Sequence, residues 1–253
     1  MQAILSLPFV AYLAVLFAFA LICLGLGLLV IRGIRTYSPN VTEQVPIAAF
    51  LGMVSTAWAL SLGFAASDIW ALNARADHVA LSERSAITRL MGVSEPGALD
   101  LPEIYQSAKD YAHAAMQLEW IDGHNRAANP TVDKAVQSIR LAIIQMTRDG
   151  ANSALIAKIV RDFDELQDAR NERLAIGQSV VDETKWYLVI SLTILATINI
   201  ALTHAAVPKA GRNALMLFSV VVFVSLAILG LHSDPFLGVK LQLSSSIIGE
   251  TPI

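Results

Sequence analysis

The fold is decided by the stretch Val45–Ser67, VPIAAFLGMVSTAWALSLGFAAS, and by its continuation as far as Leu90. The first half has no charged residue and is rich in Ala, Gly, Ser and Thr. It is long enough to cross a membrane, which takes roughly 20 apolar residues. The second half gains charges at Asp68 but has no proline or glycine before Gly92. We therefore predict one helix that crosses the membrane, continues in water and ends at Gly92.

The composition also indicates a membrane protein. The chain of 253 residues is 55% hydrophobic and only 15% charged, against about 25% charged in a typical soluble domain. Residues 68–185 hold 18 acidic and 13 basic side chains and so carry about five net negative charges. Because a nucleic-acid surface needs a basic patch, no nucleic acid is expected as a partner. Cys23, the single cysteine, excludes a disulfide framework and is interpreted as a small lipid- or helix-facing side chain.

Four apolar runs predict four transmembrane helices. A signal peptide is the alternative for the first run, but no Lys or Arg precedes that run and it continues past the small residues that resemble a cleavage site. Basic residues flank or fill the two short turns, so the positive-inside rule places both turns in the cytoplasm and both termini and the middle region in the periplasm. The runs are Leu7–Ile31, Val45–Ser67, Trp186–Val207 and Asn213–Leu231, and the basic residues are Arg32, Arg35, Lys209 and Arg212.

The middle of the chain predicts a helical bundle outside the membrane. Asp100 and Thr131 are expected to cap its second and third helices, and a fourth helix from Ser153 is expected to continue into the third span. The segment Pro208–Arg212 is interpreted as a tight turn between the last two spans. The predicted fold is all-α, with spans in 1–67, the bundle in 68–185, spans in 186–232 and a tail in 233–253.

A search for catalytic and metal-binding patterns favours a protein that is not an enzyme. The five histidines lack metal-ligand spacing, and no nucleophile, phosphate-loop or zinc-protease motif occurs, so no cofactor and no metal is expected. Asp164, Asp168 and Glu172 follow one another along one helix face, where they could attract a cation. They are interpreted instead as a solvated face whose carboxylates pair with the interleaved Arg161, Arg170 and Arg173.

Polar and apolar groups inside the spans provide the candidate sites. Asn199 is expected to hydrogen-bond between helices, together with Thr193, Thr197 and Thr203. On the second span Thr56, Leu60 and Phe64 follow one another on one face. In a ring of subunits they would form a hydroxyl ring and two apolar constrictions of the kind that gate by dewetting. The alternative is that they face lipid or another helix.

Several sequence segments of the chain resemble a bacterial bestrophin-like family of membrane proteins. They are Val41–Val45, Phe64–Arg75, Glu119-Trp120, Asp164–Arg173 and Asp234–Gly238. Through the second span the chain is also distantly similar to the bestrophins, which are pentameric anion channels with an apolar neck on that helix. The resemblance implies a pore lined by Thr56, Leu60 and Phe64, with Asp68 and Trp70 at its exit.

The favoured hypothesis is a homo-oligomeric, bestrophin-like channel that passes small ions, most simply anions, across a bacterial inner membrane. A pentamer is favoured by the resemblance, and a dimer stays open. The alternative is a sensor or scaffold protein, anchored in the lipid bilayer by its spans and binding a partner through the helical bundle. The number of subunits separates the two hypotheses.

Overall fold

A computed structural model describes residues 9–37, 48–122, 125–178 and 183–236 of the chain. Within these ranges the protein is helical and contains no strand, which confirms the predicted all-α fold. Its elements are α1 (Phe9–Tyr37), α2 (Ala48–Ser94), α3 (Pro102–Ala114), a π-helix (Ala115–Asp122), α4 (Pro130–Arg148), α5 (Ser153–Gln178), α6 (Glu183–Thr203) and α7 (Pro208–Leu231).

Helices α1, α2, α6 and α7 are each long and apolar enough to cross a membrane. They correspond to the four predicted spans, so the chain is a multi-pass membrane protein. The described part of the second span begins at Ala48. The predicted start of that span at Val45, the continuity of α5 with α6 through 179–182, and the tail 237–253 lie outside the described residues.

The turn between the last two spans differs from the prediction. Helix α6 ends at Thr203, the turn occupies 204–207, and Pro208 begins α7. The interpretation of Pro208–Arg212 as a turn was therefore wrong. Proline suits the first position of a helix because its missing N–H has no partner to lose there. Gly211, inside the first turns of α7, lies so close to His204 that an added Cβ would be 2.9 Å from the His204 Cβ.

Three predicted helix ends in the bundle also differ. Helix α2 runs through Gly92 to Ser94. Asp100 adopts a φ of 50° and caps nothing, since α3 begins after Leu101 without a side-chain cap. Asn129 caps α4: its side chain accepts a hydrogen bond of 2.9 Å from the backbone N–H of Thr131, the residue predicted to cap.

The chain divides into two compact units, Met1–Trp70 with Val180–Ser233, and Ala71–Ser179 with Asp234–Ile253. We refer to the first as the membrane unit and to the second as the bundle. Helix α2 contributes residues to both. The domain boundaries derived from the sequence, at 67/68, 185/186 and 232/233, stay a prediction.

In the membrane unit, α1 and α7 pack closely. The hydroxyl of Tyr12 donates a hydrogen bond of 2.8 Å to the Leu226 carbonyl, and Gly230 leaves room for the Tyr12 ring. A Cβ on Gly230 would lie 1.6 Å from the Tyr12 oxygen. Farther along α1, Gly27 packs against the side chain of Leu215 in the same manner. These contacts explain why small residues occur at these positions.

The bundle has a continuous apolar core built from one face of each of its helices. Its period is the ordinary α-helical one as far as Ala115, where the π-helix begins. The core residues are Ala86, Leu90, Ile104, Ala108, Tyr111, Ala115, Val132, Val136, Ile139, Ala142, Ile143, Met146, Ile159, Phe163 and Leu166.

Candidate functional site

The second span has two unlike faces within the membrane unit. Trp58, Ala65 and Ile69 are buried against the other spans. Thr56 and Leu60 each lie two residues from Trp58, so they point about 160° away from it around the helix. Only 17% of the apolar part of α2 is buried, against 22% in the fourth span, 28% in the first and 44% in the third. The second span therefore presents a largely uncovered face.

All three predicted pore-lining side chains belong to that uncovered face. Leu60 is 57% exposed, Phe64 is 68% exposed, and Thr56 is exposed as well. Gly63, which lies among them, has open space where a Cβ would be. The structure thus brings the three side chains together on one surface of the helix. That they line a pore stays a prediction.

The packed face of α2 is joined to α6 by three polar contacts. The Nδ2 of Asn199 donates to the Phe50 carbonyl at 3.4 Å, and the Nε1 of Trp58 donates to the Thr193 hydroxyl at 2.9 Å. At the other end, the Nζ of Lys185 donates to the Asp68 carboxylate. Along the series the residue number rises on α2 while it falls on α6, so the contacts belong to one antiparallel helix pair.

The prediction for the polar residues of the third span is confirmed in part. Asn199 and Thr193 make the expected bonds to another helix. Thr203 donates to a carbonyl of its own helix, and Thr197 does the same but also hydrogen-bonds with the Cys23 thiol on α1. The Oδ1 of Asn199 is buried without a hydrogen-bond partner. The amide orientation is nevertheless fixed, since Oδ1 could not face the Phe50 carbonyl in place of Nδ2.

The predicted pore-exit residues differ in their surroundings. Trp70 is 57% exposed. Asp68 is half exposed, and its negative charge is matched by the positive charge of Lys185. The carboxylate at this position therefore belongs to an ion pair, which the sequence did not indicate, because Lys185 is more than a hundred residues away along the chain.

In the bundle, two arginines that were predicted to face solvent are buried instead. Arg173 is 0% exposed and binds the Glu83 carboxylate through two nitrogens, at 2.5 and 2.9 Å. It also donates to Glu119 at 2.9 Å. Arg170 donates to both oxygens of Glu119, at 2.5 and 3.1 Å, and to Asp133 at 2.7 Å. We call these five residues the ionic cluster.

Neutral groups complete the ionic cluster. The hydroxyl of Tyr111 donates to Glu83 at 2.5 Å, and the Oδ1 of Asn125 accepts from Arg173 at 2.5 Å. The ring of Trp120 lies 5.0 Å from the Arg173 guanidinium, within cation–π distance. The buried Nδ2 of Asn125 has no partner. Among the described residues of the bundle, it is the one fully buried side-chain nitrogen or oxygen that lacks a partner, in keeping with the pairing that buried charges require.

The electrostatics follow from this pairing. Burial by itself would raise the pKa of Glu119, but hydrogen bonds from Arg170 and the Asn129 N–H, with the charge of Arg173, hold that pKa below its usual value. Burial raises the pKa of Tyr111 well above its usual value, and the neighbouring Glu83 raises it further. Glu119 is thus an ionised carboxylate paired with two guanidinium groups, close to the neutral phenol of Tyr111, and these contacts join helices of the bundle.

The interpretation that Arg170 and Arg173 pair with carboxylates of their own helix was wrong. Asp164 and Asp168 are exposed, as expected of a solvated face, but Glu172 binds Arg75 of α2 at 2.5 Å. Asp164 and Asp168 line a shallow groove of about 340 Å³ beside His78. Among the residues described, no group of three metal-ligating side chains comes together.

The comparisons with known proteins identify the family. A model of the Bestrophin-like domain matches residues 9–244, which is nearly the whole chain. This chain belongs to the bestrophin-like family. The resemblance found in the sequence is thereby confirmed. The same comparisons find no match among the curated proteins and none among the solved structures.

Three of the sequence segments that resemble the bestrophin-like family have a structural role, although none of them contains a catalytic or metal-binding pattern. Glu119 belongs to the ionic cluster, and Trp120 contacts it through Arg173. The segment Asp164–Arg173 contributes the two arginines of the cluster. Phe236, from the segment that follows the fourth span, packs on Trp120 with ring centres 5.4 Å apart. In this bestrophin-like chain the three segments therefore contact one another in the bundle.

Proposed function

We propose that the chain is a subunit of a homo-oligomeric ion channel whose pore is lined by the second span. The observation that carries the proposal is the uncovered face of α2, on which Thr56, Leu60 and Phe64 are exposed. In a monomer this face would be covered by lipid; in a ring of subunits it would surround an axis. The bestrophin-like family is compatible with such a channel.

The chemistry of that face suits a narrow, mainly apolar pathway. A ring of Thr56 hydroxyls can hydrogen-bond to a passing ion, whereas rings of Leu60 and Phe64 form constrictions that lose water when they narrow. With no charged residue on α2 before Asp68, the pathway offers an ion no fixed opposite charge. Anions are the proposed substrates, by likeness to the bestrophins, and a pentamer is the proposed assembly. The proposal includes no catalytic activity.

Single-channel recording from purified protein in planar bilayers tests the proposal. Leu60→Ala and Phe64→Ala each remove an apolar constriction, so we expect both to raise the conductance or the open fraction. Leu217→Ala is the matched control, because Leu217 is 71% exposed on the fourth span and should leave the currents unchanged. Well-folded oligomers that carry no current in any form would rule the channel out.

A second candidate function is a membrane-anchored sensor or scaffold. It is favoured by a groove of about 740 Å³ between α3 and α4, where Leu141 is 55% exposed and Ile144 is 41% exposed. A partner could cover these side chains. This candidate predicts a monomer or dimer in native mass spectrometry, whereas the channel requires a ring.

We also propose that the bundle and both termini lie in the periplasm and that the turns lie in the cytoplasm of a bacterial inner membrane. Lys209, near the start of α7, supports this orientation by the positive-inside rule. A membrane-impermeant maleimide tests it in cells whose outer membrane is permeabilised, with Cys23→Ala as background. Ser138→Cys, in the bundle, should react in intact spheroplasts, and Lys209→Cys should react only after lysis. The reverse pattern would invert the topology.

A further inference from the structure

The three polar contacts between α2 and α6 form a continuous series through the membrane unit. They involve Phe50, Trp58 and Asp68 on α2. From Phe50 to Asp68 the helix rises about 27 Å, close to the thickness of the hydrocarbon core. The two helices are therefore tied at both ends and in the middle, by a carbonyl, an indole and a carboxylate.

The middle contact is specific in its chemistry. The hydroxyl of Thr193 donates a hydrogen bond of 2.7 Å to the Val189 carbonyl and accepts one of 2.9 Å from Trp58, so it acts as donor and acceptor at the same time. Thr193 is 0% exposed, and Trp58 is 8% exposed. Trp58 also meets the ring of Phe218 on α7, with ring centres 5.3 Å apart.

These contacts fix the rotation of α2 about its own axis. A turn of one residue position is about 100° and would carry the Trp58 indole away from Thr193. An indole N–H without a partner is costly where lipid supplies no acceptor. The same turn would replace Leu60 and Phe64 on the uncovered face by the side chains next to them.

We infer that Thr193 is a positioning residue for the second span: by accepting the Trp58 N–H it sets which face of α2 stays uncovered. Asn199 does the same at the Phe50 end through its Nδ2. The role of that face in conduction rests on the proposed function, but the positioning itself does not. The third span is then the element that selects Thr56, Leu60 and Phe64 as the uncovered side chains.

Spin labels on α2 test the inference. Phe64→Cys and Ala65→Cys are labelled in separate proteins with Cys23→Ala as background, and collisions with a water-soluble nickel reagent and with lipid-dissolved oxygen are measured. We expect the label at position 64 to collide often with the nickel reagent and the label at 65 to collide rarely with either. Thr193→Val keeps the volume but removes the hydroxyl, and should make the two positions alike.

Two variants serve as controls. Thr193→Ser restores the hydroxyl and should restore the difference between positions 64 and 65. Thr203→Val makes the same substitution at a hydroxyl that bonds to the Asn199 carbonyl of its own helix, and should change nothing. An unchanged difference in Thr193→Val would overturn the positioning role.

A double-mutant cycle gives a second readout that needs no pore. Trp58→Phe and Thr193→Val should each lower the melting temperature, and the double variant should lose little more than one of them alone. Losses that simply add would overturn the inference. If position 64 collides with oxygen and not with nickel, the uncovered face meets lipid, so the channel fails while the positioning role stands.

Discussion

The two units of the molecule bury polar groups in opposite ways. The bundle encloses whole charges: Arg173 and Glu119 are both 0% exposed. The membrane unit buries an indole, a hydroxyl and an amide, and keeps its ion pair between Asp68 and Lys185 half exposed at the end of the span. A buried guanidinium is tolerated where several carboxylates surround it, whereas the interior of a membrane favours neutral hydrogen bonds. The difference shows that each unit buries the kind of polar group that its surroundings can pair.

The largest expected effect comes from breaking the ionic cluster. Arg173→Met leaves Glu83 buried and short of its partner, so we expect the bundle to lose about 3–5 kcal/mol of unfolding free energy. Chemical denaturation of the protein in detergent, followed by circular dichroism, measures it. Arg161→Met is the control, because Arg161 is exposed on the same helix and should change the stability by at most about 0.5 kcal/mol. Equal losses in both variants would contradict the cluster's role.

The next effect concerns packing in the membrane unit. Gly230→Ala puts a Cβ where the Tyr12 ring lies, so the ring must move and its bond to the Leu226 carbonyl is strained or lost. Overpacking of this kind costs about 1–3 kcal/mol. Thermal melting in detergent should show the loss, while Gly25→Ala should show none, because nothing lies within 4 Å of a Cβ there. A stable Gly230→Ala would mean that the two helices can separate without cost.

A smaller effect is the response of the bundle to acid. The pKa of Glu119 is lower in the folded protein than its ordinary value of 4.5. The carboxylate therefore contributes stability that is fully present above that value and is lost as the pH falls through the folded pKa. As far as Glu119 determines it, the melting temperature should not change with pH above about pH 5 and should decline below that pH. A bundle whose stability rises on acidification below that pH would contradict the pairing.

The smallest effect on stability, but a clear one on function, is expected at Asp68 and Lys185. An exposed ion pair contributes about 0–1 kcal/mol, so neither Asp68→Asn nor Lys185→Met should unfold the protein. In a channel, Asp68→Asn leaves a net positive charge and should shift the reversal potential in a salt gradient towards anions, whereas Lys185→Met should shift it towards cations. The double variant should resemble the parent. Unchanged reversal potentials in both single variants would place the pair away from the ion path.

The sequence predicted the elements of the fold, because long uncharged runs and stretches with a period of three to four residues are local signals. It also predicted that Thr56, Leu60 and Phe64 share one face of α2, since spacing alone decides this. Contacts distant in sequence were not accessible. No sequence pattern connects Arg173 with Glu83 or Lys185 with Asp68. Helical spacing indicates only ion pairs within one helix, which is why Arg170 and Arg173 were assigned partners on their own helix.

The π-helix shows the same limit in a single element. Ordinary α-helical spacing would place Leu118 after Ala115 on the buried face. Each turn of a π-helix takes about one residue more, so Glu119 points inward and Leu118 is only partly buried. A single extra residue per turn thus decided whether an apolar side chain or a carboxylate reached the interior.

That extra residue links the length of this segment to its period. Because a π-helix holds about one residue more in each turn, deleting the exposed Gln117 and closing Ala115–Asp122 into an α-helix would leave the residues that follow close to their present orientation. Closing the same segment into an α-helix without the deletion would instead rotate Glu119 away from the two arginines and Trp120 away from Phe236. The π-helix is therefore the means by which the bundle accommodates one additional residue while it keeps its charge pairing.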